Sequence, residues 1–169
     1  MGMQDRQDLA RRLESHSPAS LLAIGPQAGA LVTNYQSAHP ECAIAYLDPH
    51  GTLDGKALLR ELTNQGRFDF VVLRGVLERL DEDTGAHLIA RLRDVHTRRF
   101  CVTLGVIDTG HRWTAAELSA MGLTHWSTER ANDANLEFYG FDLGTYKTVP
   151  DWLNARHWAH PEHWGKFRW

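Results

Sequence analysis

Residues 20–29, SLLAIGPQAG, decide how this chain is read. An apolar run, Leu21-Leu22-Ala23-Ile24, stops at Gly25, passes through a turn of small residues and leads into a helix-like segment. Roughly 20 residues further on, a second apolar run from Cys42 to Leu47 ends at Asp48. Strand, small-residue turn, helix and a second strand ending in an acid is the layout of a nucleotide-binding βαβ unit. The small residues let a ligand reach the backbone, and the acid is placed for ribose hydroxyls. The same turn breaks the pattern. A Gly-x-Gly-x-Gly turn needs glycine at position 27, and Gln27 stands there after Pro26.

Working outward, the pattern alternates strands with helices. Leu9, Ala10 and Leu13 share one side of a short N-terminal helix, and Leu31, Val32 and Tyr35 one face of a helix over 27–38. Thr52 is expected to cap a helix running to about Asn64, which ends near Gly66. Phe68 to Leu73 is an apolar run too short for a helix, hence a buried parallel strand. Asp81 or Asp83 caps a helix carrying Leu88, Ile89, Leu92 and Val95. Phe100 to Leu104 is the next buried strand, and Thr114 with Glu117 forms a capping box for a helix that Gly122 closes. Two strands, over 123–129 and 136–142, joined by Arg130 to Asn135, close the domain as a hairpin.

Composition sets bounds on function. The 169 residues fit one domain with a real core, at 43% apolar and 23% charged. A net charge of −3 and pI near 6.3 give no basic field for nucleic acid or an anionic membrane. Cys42 and Cys101 lie inside expected strands and read as reduced core thiols. No apolar run reaches the ~20 residues that cross a bilayer. The mixed-charge start has no hydrophobic signal region, so the expected location is cytoplasmic.

The succession SLLAIGPQAG, AYLDPHG, FDFVVLRGVLERLDEDTGAHLIARLRDV, FCVTL and the WTAAELSAMG helix before a hairpin resembles class I S-adenosylmethionine-dependent methyltransferases over residues 20–143. FDFVVLRGVLERLDE is the closest match, similar to the segment after that family's fourth strand. The resemblance implies a three-layer α/β sandwich around a mainly parallel Rossmann-like sheet with one antiparallel edge strand. It implies S-adenosylmethionine as cofactor, with Gly25, Gln27 and Gly29 flanking its methionine portion. Asp48 would hold the ribose hydroxyls, and Arg74 and Gly75 would line the opposite wall. The chain departs from the pattern in three ways. Gln27 replaces the central glycine. Only one helix fits between Asp48 and Phe68, so the family's third strand and its adenine-side acid are missing. The loop from Gly105 to Gly110 shows no nucleophile motif, and no catalytic residue is assigned. Each departure bears on cofactor binding more than on the fold.

Each candidate has a plainer reading. Asp48 could cap the Pro49-His50-Gly51 turn, and Gly25 and Gly29 could serve only a tight strand-to-helix turn. Arg74, Glu78, His111 and Arg112 follow the carboxyl ends of strands, where function concentrates and exposed charges are also common. Methyl transfer depends on aligning donor and acceptor, so it requires no obvious general base.

The chain divides into a domain over 1–150 and an extension over 151–169. Residues 152–169 hold four of the six tryptophans, together with His157, His160 and His163. Pro161 and the lack of carboxylate partners other than Glu162 argue against a metal site there. Interleaved Arg156, Lys166 and Arg168 permit stacking on nucleotides. Burial of Trp152, Trp158 and Trp164 against the domain, or in a homodimer, is the favoured reading. Three functions follow: a methyltransferase with an S-adenosylmethionine pocket and unassigned substrate; a non-catalytic binding or assembly module that has lost the cofactor, with a small-molecule or protein partner; and, ranked lower for lack of a full Gly-x-Gly-x-x-Gly, a nicotinamide-dependent oxidoreductase.

Overall fold

The structure, a computed structural model, describes residues 6–105, 110–131, 134–146, 163 and 166. In chain order the elements are α1 (Arg6–His16), β1 (Ser20–Ile24), α2 (Ala28–Ala38), β2 (Ala43–Leu47), α3 (Gly55–Thr63), β3 (Phe70–Arg74), α4 (Glu82–Arg91), β4 (Arg99–Leu104), α5 (Ala115–Ala120), β5 (Thr124–Ala131), β6 (Ala134–Asp142) and α6 (Leu143–Tyr146). A 3₁₀ turn, Leu77–Arg79, follows β3, and one π-type turn, Leu92–His96, extends α4.

Six strands form one sheet in the order β2-β1-β3-β4-β6-β5. Strands β1 to β4 are mutually parallel, β6 runs antiparallel to β4, and β5 returns antiparallel outside it. Because β2 lies on one side of β1 and β3 on the other, right-handed crossovers send α2 and α3 to opposite faces. Alternation along β1 fits this: Leu21 and Ala23 pack with Val32 and Tyr35 of α2, whereas Leu22 and Ile24 pack with Leu58 and Leu62 of α3. The first face is completed by Leu9 and Leu13 of α1, the second by Leu88 and Ile89 of α4 and Leu118 of α5. This is the three-layer sandwich that the alternating pattern implied, with one strand fewer than the resemblance calls for between β2 and β3.

Local chemistry fixes the element ends. The Thr114 side chain and Glu117 form a reciprocal capping box on α5, and Gly122 closes that helix at φ 93°. Asp81 caps α4 by accepting from the Thr84 amide. For α3 the expectation needs correction. Asp54, not Thr52, is the cap, accepting from the Ala57 amide at 2.7 Å, because α3 begins at Gly55 and the residue before it holds the cap position. The hairpin is also tighter than its polar residues imply, since Arg130 and Asn135 already pair within it. Both cysteines are buried, and burial pushes the Cys101 thiol far up, as an inert core residue requires. No helix among the described residues is long and apolar enough to cross a membrane.

Of the aromatic extension, Trp152, His157, Trp158, His160 and Trp164 lie outside the described residues, as do the loop residues 106–109.

Candidate functional site

The switch point of the sheet gathers three turns: Gly25-Pro26-Gln27 after β1, Asp48 to Leu53 after β2, and Gly75 to Arg79 after β3. In open α/β sheets this crevice, at the carboxyl ends of the strands, is where ligands bind. Gly25, Asp48, Arg74 and Gly75 all lie here.

Gly25 is required by packing. Its φ is +99°, and a Cβ added there would stand 2.1 Å from the Arg74 carbonyl oxygen and 2.6 Å from Val76 Cγ2. The turn after β1 is thus pressed onto the end of β3. Gly29 faces elsewhere: a Cβ on it would lie 3.3 Å from the ring of Tyr46 on β2. Gln27 precedes α2 as an exposed residue whose side chain makes no capping bond. Pro26 reaches across the crevice. Its Cγ lies 3.1 Å from the Cβ position of Gly51 and 3.2 Å from that of Gly75, so the ring spans the turns after β2 and β3.

Asp48 leaves β2 in the left-handed region, φ +50°, which short polar side chains tolerate by bonding to nearby backbone. Its Oδ1 accepts from the Thr52 amide at 2.7 Å and the Leu53 amide at 3.1 Å. Its Oδ2 accepts from Arg79 Nη2. Both carboxylate oxygens are engaged within the chain, and the side chain is 1% exposed.

Arg79 is the residue that the sequence reading passed over. From the 3₁₀ turn its Nε donates to Gly75 O at 3.1 Å, and its Nη1 donates to Gly51 O at 3.2 Å and Leu53 O at 2.7 Å. One guanidinium fork therefore ties the loop after β2 to the turn after β3 and neutralises Asp48. Its sequence signal is faint: an arginine in VLERLDE, five residues past the end of β3.

On the neighbouring loop, Glu78 Oε1 accepts from the Gly105 amide and its carbonyl from the Gly110 amide, joining the turn after β3 to the segment after β4. His111 stands between two acids, with Nε2 3.0 Å from Glu117 and Nδ1 3.9 Å from Glu82, and edge-on to the buried Trp113. Among the described residues Glu82, His111 and Glu117 are the cluster with metal-ligand character. Glu117 also accepts from the Thr114 amide and hydroxyl, which hold its carboxyl below the ordinary value. Glu82 and Glu117 each sit in a first helical turn, where backbone dipoles favour anions and disfavour a cation. Arg112 is exposed beside this cluster.

The fold is a methyltransferase-like α/β fold. Solved structures of that fold match: the mitomycin 7-O-methyltransferase MmcR, with TM-score 0.51, 15% identity and coverage of 82% of this chain and 53% of that one; the pyocyanin biosynthetic protein PhzM, with TM-score 0.51, 16% identity and coverage of 80% and 54%; and PigF, solved with SAH, with TM-score 0.50, 15% identity and coverage of 81% and 54%. The chain spans about half the length of each of these proteins. At such identities the likeness concerns the fold. The chain itself belongs to DUF6231, a family of unknown function, which it matches over residues 3–169. No curated protein matches it in sequence.

Proposed function

We propose that this chain is a methyltransferase-fold binding or assembly module whose cofactor crevice is filled by its own side chains. The observation that carries this reading is the complete internal engagement of Asp48, by Arg79 and by the Thr52 and Leu53 amides. A ribose diol needs those carboxylate oxygens, and displacing Arg79 would strand a buried charge. Pro26 also packs against Gly51 and Gly75 in the same crevice. On this reading the residues present do not fit S-adenosylmethionine. Binding would fall to other surfaces, and the extension over 152–169, with four tryptophans, supplies apolar area suited to a partner or a second copy.

The methyltransferase reading has its own support: the fold, shared with PigF solved with SAH, and the position of Asp48 at the end of β2. Thermal unfolding separates the two. A ligand that binds only the native state raises the melting temperature by mass action. The module reading expects no shift with S-adenosylmethionine or S-adenosylhomocysteine at millimolar concentration. A dose-dependent rise that Asp48→Ala abolishes would establish the cofactor pocket instead.

A further inference from the structure

At the opposite, amino end of the sheet, a solvent-open recess of about 340 Å³ lies where β3 and β4 begin, lined by Arg67, Phe68, Asp69, Arg98 and Arg99. We propose that it binds the phosphate group of a small phosphorylated molecule.

The charges there are unevenly matched. Asp69 turns one carboxylate oxygen to the chain itself: its Oδ2 accepts from the Ala19 amide at 2.9 Å and the Ser20 amide at 3.1 Å. Arg99 is paired with Asp142 at 3.1 Å. Arg67 and Arg98 are exposed, and among the described residues neither has an acid or a hydrogen-bond acceptor for its guanidinium. Two arginine forks thus remain to be matched at the rim of one recess.

The backbone fixes their spacing. Phe68 and Thr97 form a parallel bridge, with the Phe68 amide donating to His96 O at 2.8 Å. Arg67 immediately precedes this bridge and Arg98 immediately follows it, so their backbones are offset by two residues along parallel segments and stand roughly 8 Å apart, within reach of two long side chains. The Arg98 carbonyl is fixed in turn by the Leu143 amide at 2.9 Å. Forks on the two segments that lead into β3 and β4 suit a phosphate, because its oxygens can take both forks whereas a carboxylate is satisfied by one. The volume is at the small end of the roughly 300–1,000 Å³ typical of small-molecule sites. It leaves room beside the phosphate for a group of sugar size against Phe68.

Titration calorimetry on the intact chain at low salt, with inorganic phosphate and ribose 5-phosphate as probes, tests this. The expected result is saturable one-to-one binding of both, the ester being tighter. Arg67→Gln combined with Arg98→Gln should weaken both at least tenfold while leaving the melting temperature and circular dichroism unchanged. Arg60→Gln, on the exposed side of α3, should change nothing. Absence of saturation, or a double variant that binds like the parent chain, would overturn the site. An ester no tighter than inorganic phosphate would overturn its assignment to a phosphorylated small molecule.

Discussion

Arg79 closes on Asp48 from the turn after β3, so the acid that ends β2 is neutralised by a residue 31 positions further along the same chain. Two loops that would flank a cofactor are instead stapled to each other.

A double-mutant cycle measures the staple. Asp48→Ala and Arg79→Ala should each destabilise the protein by about 3 kcal/mol, since each leaves a desolvated partner behind. The double variant should fall short of the sum by more than ~1 kcal/mol in urea unfolding, as residues of one network do. Strict additivity would mean that the pair contributes nothing as a pair.

Gly25 and Gln27 should behave oppositely. Gly25→Ala places a methyl against the Arg74 carbonyl at a positive φ, and should cost more than about 2 kcal/mol or prevent folding. Gln27→Gly removes an exposed side chain with no capping bond, and should shift stability by less than ~1 kcal/mol. On the proposed reading it should not create affinity for S-adenosylmethionine, because it leaves Asp48 engaged by Arg79.

Two histidines set the pH dependence near neutrality. His39 bridges Glu14 at 2.9 Å and Glu41 at 3.2 Å, and the hydrogen bond to Glu14, above all, raises its pKa over 6.5. Its contribution is complete below 6.5 and is lost as pH rises through the higher folded value. His16 is lowered from 6.5, mainly by burial, so it removes stability as pH falls below 6.5. The melting temperature, corrected for other groups by comparison of variants, should peak near 6.5. His39→Gln should flatten the alkaline side only and His16→Gln the acidic side only.

Removing divalent metal should leave the protein unchanged. Glu82, His111 and Glu117 converge at helix starts, where the backbone field opposes a cation, and Glu117 is committed to its capping box. A chelator should therefore not move the melting temperature. A drop that zinc reverses, and that His111→Ala abolishes, would show a bound ion.

Much of the fold was legible because its signals are local. Apolar runs such as Phe70 to Leu73 announce buried parallel strands, and Thr114 with Glu117 announces a helix start, whatever the rest of the chain does. The missing strand could be read from chain length alone, between Asp48 and Phe68. The state of the crevice could not. Whether Asp48 faces a ligand or a guanidinium depends on where a 3₁₀ turn 31 residues later aims one arginine, and no periodicity records that. Pro26 is similar: beside Gln27 it reads as a turn residue, and its contact with Gly51 and Gly75 exists only once three strands are side by side. Asp54 rather than Thr52 caps α3 because the helix begins at Gly55, later than a cap at Thr52 would place it.

The central claim is that the crevice is filled from within. Isothermal titration of S-adenosylhomocysteine into the intact chain tests it most directly. A crevice filled from within gives no saturable heat up to millimolar ligand, for the parent chain and for Gln27→Gly alike. Saturable one-to-one binding that Asp48→Ala abolishes would contradict it.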